Sequence, residues 1–591
     1  MLNSLVFINR DKVVMKLIKQ RCKYADSQAE LDQKKLFIHR SCLRRPLNEN
    51  KLSKSKQERK EIYSLFPPRS KWLSISRDER MDADSVKRNE LRLKKTYLYA
   101  KRTKSKDEWY VRLCQKADFI VQYAMTNRLP ILPPQVCVIQ KKVEADKKKI
   151  ACRPVCKFPT IDKIVFSLLN SYLTNLFDDY FYNCSFAFRK PSEQRSELQH
   201  LDAVVYIRNF RKRHVGESLY VAECDMQKFY DTLRHSVIKR RFMTLLRKAK
   251  RDGKIDDWNF KMVRHWFFAY IDCFDFKSQV WIHNKKPISH PFWKNIKNGK
   301  GYSLEIGWIN PKHFDYKKAD CRNGRVGVPQ GGPLSGLIAN VVMHYVDAKV
   351  LESNGSNDMI YCRFCDDMIL VGTKKDAVTQ SFDTYQQAIK DVKLVAHENR
   401  KMEKAAAREF WEGKTRGPYE WNEKGDNVYP WITFVGFDIN WRGNLRIRKA
   451  SFKRQLDKQS KIASELLLPY KCGKKARYSK GTIWNSLQSR LIATSVGRVS
   501  LWNYLDNHNQ YSWMNAFSIL DKNKWSEKQM RDLDWHRQLI LARAKKKLLN
   551  ITCPETRKDK MSDIDARELY AFKGSPFSYY GQCFVYKSNL N

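Results

Sequence analysis

The feature that most constrains this chain is the stretch Tyr361-Cys-Arg-Phe-Cys-Asp-Asp-Met-Ile-Leu-Val-Gly372, where two adjacent carboxylates interrupt an apolar run. Aromatic and aliphatic residues followed by a turn-forming glycine predict a buried hairpin whose bend carries Asp366 and Asp367. Burying a carboxylate is costly unless a cation lies beside it, and a divalent metal ion is the usual partner. The alternative is a surface turn in which the pair only ends a strand. Other parts of the chain have to decide between them.

A second acidic site follows the β-rich run Leu219-Tyr-Val-Ala-Glu-Cys, which ends at Asp225. A helix is predicted to begin near Asp231 and to continue through Leu246. A carboxylate at the carboxyl end of a strand, before a turn into a helix, is well placed to reach a cleft. Alone, Asp225 is better explained as a turn cap, but together with Asp366 it favours a metal site.

A glycine-rich segment, Gly327-Val-Pro-Gln-Gly-Gly-Pro-Leu-Ser335, lies between the two acidic sites. Gly331 and Gly332 allow the backbone to approach another molecule without interference from a Cβ atom. Pro333 suits the first turn of a helix, which is predicted to continue from Leu334 to Val346. A glycine loop at a helix N-terminus can lie close to a phosphate or a nucleotide.

The periodicity of apolar residues predicts further elements around these sites. Residues 161–177 and 377–392 are predicted helices, and residues 431–448 are predicted to form a second hairpin with a Gly-Asn turn. Residues from about 250 to 325 are too long and too aromatic for a loop, so a folded insertion is expected there.

The charge of the chain indicates its partner. Its 113 Lys and Arg residues against 63 Asp and Glu give a formal net charge of +50, and nucleic acid is the obvious acidic partner. No apolar run approaches the roughly 20 residues that span a bilayer, so we expect no membrane partner and a soluble, cytoplasmic protein. With 591 residues, the chain should form two to four domains.

The 15 cysteines are odd in number and scattered, which favours reduced thiols over a disulfide framework. Cys362 and Cys365 have the spacing of zinc ligands, but no second pair lies nearby to complete four ligands. Cys152 and Cys156 also lack such partners. We therefore interpret all four as structural thiols.

In this order and wording, the motifs resemble the palm of reverse transcriptases. Asp225 with Phe229-Tyr-Asp231 is similar to the first catalytic motif of that family, and Phe364-Cys-Asp-Asp367 to its aromatic-x-Asp-Asp turn, with Cys where Ala is commoner. Gly327 to Ser335, with Ala339-Asn340, resembles the nucleotide-facing motif, and Phe434-Val-Gly-Phe-Asp-Ile439 the primer grip. Cys184 to Arg189 and Arg153 to Lys163 resemble fingers segments. The resemblance covers roughly residues 153–449.

The resemblance implies an α+β fold of the right-hand polymerase type, with fingers and a palm of antiparallel sheet and packed helices. It places a basic, mostly helical extension at residues 1–108 and the fingers and palm at 109–449, with the insertion at about 250–325. Residues 450–591 would form a helical, thumb-like region with an aromatic tail. The basic N-terminal helices are either a solvated surface or an arm on a phosphate backbone, and both readings stay open.

The resemblance also implies two-metal nucleotidyl transfer. Asp225, Asp366 and Asp367 would hold two Mg²⁺ ions, with Mn²⁺ as the alternative, and Asp367 would be the more peripheral ligand. Tyr230 occupies the position of the family's aromatic gate against the 2′-hydroxyl. The remaining implied contacts are Gln330 and Gly331 to the nucleotide, Arg153 and Lys163 to the triphosphate, Lys401 (with Arg400 as its rival) to the pyrophosphate, and Phe434, Val435 and Gly436 to the primer.

Among reverse transcriptases, the long extensions most resemble the bacterial defence-associated enzymes of the unknown and abortive-infection groups. That resemblance implies RNA-directed DNA synthesis from dNTPs in antiphage defence, on an RNA template or an associated non-coding RNA. It adds a second copy or a companion defence protein as candidate partners, and priming from a protein hydroxyl as an option. Tyr579, Tyr580 and Tyr586 are candidate primers, although packing explains them better. The alternative is a group II intron-like or maturase-like RNA-binding protein that retains the palm.

Overall fold

The computed structural model is an α+β protein. It describes residues 6–36, 53–81, 85–126, 131–144, 146, 148–190, 198, 200–296, 301–307, 324–353, 358–400, 410, 412–423, 428–471, 480–496, 519–520, 522–549 and 575–578. Its helices are α1 (Arg10–Leu36), α2 (Ser53–Ser64), α3 (Arg77–Met81), α4 (Ser85–Arg102), α5 (Glu108–Thr126), α6 (Thr160–Phe177), α7 (His200–Arg213), α8 (Phe229–Thr232), α9 (His235–Arg251), α10 (Asp257–Asp272), α11 (Phe276–Gln279), α12 (Ser335–Ser353), α13 (Lys375–Asp391), α14 (Lys449–Lys471), α15 (Lys480–Val496) and α16 (Lys524–Leu549). Its strands are β1 (Gln135–Glu144), β2 (Lys149–Lys157), β3 (Leu219–Cys224), β4 (Ser303–Ile306), β5 (Met359–Phe364), β6 (Asp367–Gly372), β7 (Asn399–Arg400), β8 (Thr415–Trp421), β9 (Val428–Tyr429), β10 (Trp431–Phe434), β11 (Phe437–Asn440) and β12 (Leu445–Ile447).

The N-terminal helices pack on the rest of the molecule through α1. Val13, Val14, Leu17 and Ile18 recur at helical spacing and are fully buried, so one stripe of α1 faces the core. Helix α1 contacts α2, α4, α5 and α6. One hydrophobic core therefore runs from Phe7 through these helices to the residues behind the central sheet.

Strands β1, β2 and β4 form a three-stranded sheet. Strands β1 and β2 pair antiparallel with a bulge between Gln140 and Lys142, whereas β4 runs parallel to β2. Strand β4 and helices α10 and α11 come from the stretch expected to be an insertion. Since β4 completes the sheet and α10 contacts α6 and α9, this stretch is built into the fold at its described residues.

The central sheet has the order β5-β6-β3-β8-β7, with β9 also paired to β8. The pairs β5–β6, β6–β3 and β3–β8 are antiparallel, whereas β7 and β9 run parallel to β8. Helix α13 contacts β3, β6 and β8, and α7 contacts β5. Because helices cover the sheet, β3 and β5 are buried along almost their whole length, and their residues are mostly apolar, with Glu223 and Arg363 as the charged exceptions.

Strands β10, β11 and β12 form a separate antiparallel sheet followed by α14, α15 and α16. Helix α16 is joined to β12 by Gln529, whose Nε2 donates to the Ile447 carbonyl and whose Oε1 accepts from the Ile447 N–H, both at 2.8 Å. Two antiparallel hairpins thus fill the segment where one was predicted. In the described parts of the chain, no helix is long and apolar enough to cross a membrane.

Candidate active site

The predicted acidic hairpin is confirmed. Strands β5 and β6 pair antiparallel with Phe364 opposite Asp367, so Cys365 and Asp366 form a two-residue turn. Cys365 has a φ of 63°, the sign that a two-residue hairpin loop of type II′ requires at its first position. Asp366 and Asp367 therefore sit where the hairpin bends, at one end of the central sheet.

A buried network supports this hairpin from below. Arg363 and Asp347 are 0% and 1% exposed, and the guanidinium donates to both Asp347 oxygens at 2.7 and 2.6 Å. Arg363 also donates to the side chains of Asn340 (3.3 Å) and Ser185 (2.8 Å) and to the carbonyl of Cys365 (3.0 Å). Sequence reasoning missed this network, although a basic residue inside an apolar strand is a signal for a buried ion pair.

Asp225 lies beside the hairpin because of strand register. Cys224, the last residue of β3, pairs with Met368 of β6. Asp225 follows Cys224, and Asp367 precedes Met368 in the antiparallel strand. Asp225 and Asp367 are therefore neighbours at the same end of the sheet. The sheet therefore brings together the three carboxylates that the sequence placed about 140 residues apart.

Three residues on the β8 side of β3, opposite to the hairpin, contact Asp225. Its carboxylate accepts from Nζ of Lys414 at 2.6 Å and lies 3.8 Å from Nε2 of His397. Its backbone N–H donates to the hydroxyl of Thr415 at 3.3 Å, and its carbonyl accepts from the His397 N–H at 2.9 Å. Sequence reasoning missed Lys414 and His397, because their contacts depend on how β8 and the loop after α13 pack beside β3.

The electrostatics of the carboxylates indicate a place for cations. The Asp367 residue is exposed at the start of β6, but desolvation by the surrounding atoms, followed by the charges of Asp366 and Asp225, raises its pKa to about 7. Burial also raises the pKa of Asp366, and Asp225 raises it further. These shifts show like charges held close together at the cost of repulsion, which a bound divalent cation would relieve.

The donor chemistry fits Mg²⁺, which prefers carboxylate oxygens completed by phosphate and water. The protein side chains do not form a complete metal-coordination shell by themselves. Within the described ranges, no three acidic, histidine or cysteine side chains are close enough to hold a metal ion. This also leaves the zinc spacing of Cys362 and Cys365 without a complete ligand set. At Asp225, the ammonium of Lys414 supplies the positive charge.

The structure joins two of the residues expected at the nucleotide. Arg153 on β2 donates through Nε to Oε1 of Gln330 at 2.6 Å, and Nε2 of Gln330 donates to Asp231 at 2.5 Å. Burial raises the pKa of Asp231 to about 6. Gly331 has a φ of 84°, which explains glycine at this position. The segment thus links the β1-β2-β4 sheet to the residues that follow Asp225.

Two local expectations near this loop need correction. The helix predicted from Asp231 through Leu246 is interrupted, because α8 ends at Thr232 and α9 begins at His235. Helix α12 begins at Ser335, so Pro333, which was expected in its first turn, lies two residues before it. Gly332 is packed against the molecule itself, since a Cβ there would lie 2.1 Å from the hydroxyl of Tyr270.

Tyr230 stands between this loop and the hairpin. Its carbonyl accepts from the N–H of Val328 at 2.8 Å, and its hydroxyl lies 2.9 Å from Sγ of Cys365. Burial, followed by the neighbouring Cys365, raises the pKa of Tyr230 above its ordinary value. The phenol group is therefore neutral, and contacts at its backbone and its hydroxyl hold the ring next to the acidic turn.

The other candidate residues lie farther apart. Lys163 is on α6, where burial, Lys23 and Lys157 lower its pKa and Glu58 raises it, so its surroundings are those of the N-terminal helices. Arg400 ends β7 and lies 3.8 Å from Glu398. Lys401 and the tail tyrosines Tyr579, Tyr580 and Tyr586 lie outside the described residues.

The candidate primer-grip residues form the turn between β10 and β11. Phe434 pairs with Phe437, and Val435 and Gly436 have φ values of 37° and 96°. The Gly436 carbonyl accepts from the N–H of Arg448 at 3.0 Å, which ties the turn to the start of α14. The same Arg448 charge lowers the pKa of Asp367, so this turn lies on the side of the acidic hairpin.

Comparison with known proteins identifies the central region. Residues 139–410 match the family described as reverse transcriptase (RNA-dependent DNA polymerase). This region contains the second half of β1, strands β2 to β7, the acidic hairpin, Asp225 and the loop of Gln330. A search of curated proteins found no match.

Solved telomerase structures are similar to the chain at low identity. Apo telomerase from Candida tropicalis is 13% identical over 95% of this chain and 87% of that chain, with a TM-score of 0.35. Its form truncated from the C-terminal domain is 14% identical over 56% of this chain, which spans 59% of that one, with a TM-score of 0.31. Telomerase from Candida albicans, in complex with the TWJ fragment of telomeric RNA, is 12% identical over 86% of this chain and 75% of that chain, with a TM-score of 0.31.

The fold and site define a nucleotidyltransferase with an α+β fold of the right-hand polymerase type. More specifically, residues 139–410 match the reverse transcriptase domain family, whose enzyme class is RNA-directed DNA polymerase. Enzymes with this domain use divalent metal ions, typically Mg²⁺, and bind RNA templates.

Proposed function

We propose that this chain synthesises DNA on RNA, adding dNTPs to a hydroxyl group with Asp225, Asp366 and Asp367 as the ligands of two Mg²⁺ ions. The observation that carries the proposal is the register of β3 against β6, which sets Asp225 beside Asp367 at the mouth of the hairpin. The raised pKa values of Asp366 and Asp367 support it, because they mark crowded carboxylates that a divalent cation would stabilise.

In this mechanism, bound Mg²⁺ would stabilise the charge on the entering and leaving oxygens of the phosphate. The chain's own residues position the reactants. Arg153 and Gln330 line the nucleotide, with the Arg153 guanidinium free to turn a donor toward phosphate oxygens. Tyr230 excludes a 2′-hydroxyl by its bulk. Before Mg²⁺ binds, Lys414 supplies the positive charge beside Asp225.

The decisive test removes the turn carboxylates. With Mg²⁺, a primed RNA template and labelled dNTPs, the wild-type chain should give labelled DNA, and Asp366→Ala/Asp367→Ala should give none. Asp383→Ala, which removes an exposed carboxylate from α13, is the matched control and should retain activity. Mg²⁺ should also raise the melting temperature of the wild type but not that of the double variant, since only a ligand of the folded state stabilises it.

Equal DNA synthesis by wild type and double variant would contradict the active-site assignment. If the wild type itself binds RNA tightly but makes no DNA on any primed template, the maturase-like RNA-binding function replaces the polymerase. These two outcomes are distinguishable because RNA binding is measured separately from synthesis.

The gate assignment has its own test. Tyr230→Ala should raise rNTP use relative to dNTP at least about tenfold, equivalent to roughly 1.4 kcal/mol of lost discrimination. The ratio of kcat/KM for the two nucleotides measures it. Unchanged discrimination would remove Tyr230 from this role while leaving the three aspartates in theirs.

For the biological setting, we propose antiphage defence in the bacterial cytoplasm, with an RNA template or associated non-coding RNA and a nucleic-acid or protein primer. The support is the resemblance of the extended chain to defence-associated reverse transcriptases. Cells expressing the wild type should resist phage in plaque assays, and cells expressing the double aspartate variant should not. Sequencing of co-purified nucleic acid, with and without protease, identifies the template and any protein-linked product.

A further inference from the structure

A concave, strongly basic site lies on the N-terminal helices, outside the reverse transcriptase domain. It is a cavity of about 460 Å³ between the turn after Pro68, helix α3 and helix α4. Its lining residues are Arg69, Ser74, Ile75, Arg80, Arg88, Asn89 and Arg92. We call it the arginine pocket: four guanidinium groups line it, and no carboxylate is among the lining residues.

Within the described part of the chain, two of the pocket arginines, Arg92 and Arg88, have no carboxylate partner. Arg92 is held by backbone carbonyls, donating from Nη2 to Trp72 at 2.8 Å and from Nε to Leu73 at 3.2 Å. Nε of Arg88 is buried and has no hydrogen-bond partner among the described residues. Backbone carbonyls fix a guanidinium without cancelling its charge, so the pocket stays cationic.

A further arginine lies close behind the pocket. Arg21 of α1 lies 3.5 Å from the centre of the Tyr63 ring and 5.5 Å from that of Trp72. Burial lowers the pKa of Arg21, and the charge of Arg69 lowers it further. The fold thus gathers like charges and buries part of them, at a cost that an anionic ligand would offset.

We propose that the arginine pocket binds phosphates of an RNA backbone. The planar guanidinium matches phosphate oxygens with two parallel N–H donors, and it is the preferred group for phosphate recognition. Ser74 and Asn89 add hydrogen-bonding groups suited to a ribose hydroxyl. The net charge of +50 favours a nucleic acid over a small anion as the occupant. The site would anchor RNA on the N-terminal helices, separately from the template at the aspartates.

The test compares two losses of equal charge. Arg80→Ala/Arg88→Ala removes two pocket arginines, and Lys94→Ala/Lys95→Ala removes two exposed lysines of α4 that do not line the pocket. Fluorescence anisotropy with a labelled single-stranded RNA, at a series of salt concentrations, gives Kd. The pocket variant should bind about tenfold more weakly than the lysine variant, and its salt slope should fall by about 1.4, or roughly 0.7 per lost phosphate contact.

Equal Kd values for the two variants would overturn the proposal. So would a pocket variant that loses binding to phosphatidylserine vesicles but keeps its RNA affinity, because the occupant would then be a membrane surface. Primer extension at saturating template reports on the aspartates alone, so a failure here leaves the polymerase proposal standing. Melting temperatures of both variants should match the wild type.

A second, independent observation concerns the contact of 2.9 Å between the hydroxyl of Tyr230 and Sγ of Cys365. The thiol comes from the hairpin turn and the hydroxyl from α8, so the contact joins the two halves of the site. Cys365 is 8% exposed, and the Tyr230 backbone is fixed by Val328. The backbone of Tyr230 is thus fixed at one end of the residue, and a hydrogen bond from its hydroxyl to Cys365 would fix the orientation of the ring.

We infer that Cys365 is a positioning residue for Tyr230 and thereby sharpens discrimination against rNTPs. This inference rests on the proposed gate role of Tyr230. An alanine at this position could neither donate to nor accept from the hydroxyl. The ring would then be free to tilt, and the space beside a 2′-hydroxyl would widen.

A double-variant cycle tests the contact. Cys365→Ala and Tyr230→Phe should each reduce the dNTP/rNTP ratio of kcat/KM about threefold to tenfold, and the pair together should do no more than either alone. Cys365→Ser should retain the wild-type ratio, because a hydroxyl replaces the thiol. Cys362→Ala is the control, because Cys362 is a buried cysteine of β5, the strand that precedes the turn.

The outcomes distinguish the gate role of Tyr230 from the positioning role of Cys365. If Tyr230→Ala alters discrimination but Cys365→Ala and Tyr230→Phe do not, the gate stands and the positioning role is wrong. Additive effects of the two single variants would also overturn it, because residues that act through one contact do not add. If Tyr230→Ala has no effect, the gate role itself fails.

Discussion

The two sides of the active site are built differently. The hairpin side rests on the buried pair of Arg363 and Asp347, in which Arg363 also donates to Asn340, Ser185 and the carbonyl of Cys365. The Asp225 side is balanced by Lys414, whose side chain is 58% exposed. One side is therefore held by a permanent buried ion pair, and the other by a solvated cation that can move.

This difference suits the proposed function, in which the site would bind Mg²⁺ and release products. The turn that carries Asp366 and Asp367 needs a fixed position, because small displacements of catalytic groups are costly. Asp225 needs a counter-charge that yields when Mg²⁺ and nucleotide arrive. An exposed ion pair contributes at most about 1 kcal/mol, so its replacement costs little.

Breaking the buried pair should have the largest effect. Burial lowers the pKa of Arg363, but Asp347 outweighs burial and raises it, so this anchor stays charged at any working pH. Arg363→Met leaves Asp347 buried and unpaired and should destabilise the fold by about 3–5 kcal/mol, measured by chemical denaturation. Arg363→Met/Asp347→Leu should recover part of that stability but not the activity.

The matched control is the exposed pair Arg10–Asp118, which is also bidentate at 2.6 Å. Arg10→Met should cost less than about 1 kcal/mol, because both side chains are solvated. Similar losses at the two arginines would show that burial does not set the strength of the hairpin's support.

A smaller, pH-dependent effect is expected at His235, which anchors the glycine loop by a bond of 2.9 Å between Nε2 and the Gly327 carbonyl. Burial lowers the pKa of His235 to about 4, so the unfolded chain takes up a proton first as the pH falls below about 6.5. This contribution to stability is complete above pH 6.5 and is lost progressively toward pH 4, by about 2 kcal/mol at pH 5.

Thermal melts between pH 7.5 and 5 measure this effect. His235→Gln keeps a donor for Gly327 but cannot titrate, so its melting temperature should fall less with pH than that of the wild type. His265→Gln, on the exposed face of α10, should follow the wild-type profile. Parallel profiles for wild type and His235→Gln would show that the loop anchor does not titrate in this range.

The smallest effect is expected at the exposed ion pair of Lys414 and Asp225. Lys414→Ala removes the cation that competes with Mg²⁺ for Asp225, so the Mg²⁺ concentration for half-maximal synthesis should fall about threefold to fivefold, the factor for roughly 1 kcal/mol. Lys414→Arg should leave it near the wild-type value. A Mg²⁺ titration of primer extension measures both, and a higher Mg²⁺ requirement for Lys414→Ala would contradict the competition.

The sequence predicted much of the local structure. Apolar residues followed by a turn-forming glycine indicated the acidic hairpin. The spacing of apolar residues placed α6 and α13 within two residues of their observed ends. It also indicated that Arg153 and Gln330 belong to one site, through resemblance rather than spacing. The break between α8 and α9 was missed, because the turn at Leu233–Arg234 carries no glycine or proline.

The sequence by itself determined which residues are candidates for the chemistry: three carboxylates, the aromatic residue Tyr230 and a glycine loop, each recognisable from its immediate neighbours. Only the tertiary structure decided what surrounds them. Lys414 and Asp225 are 189 residues apart and meet through β3 and β8, and Arg363 meets Ser185 across 178 residues. Local patterns record how a segment folds, whereas pairing between distant strands and helices depends on register and packing, which no single stretch of sequence contains.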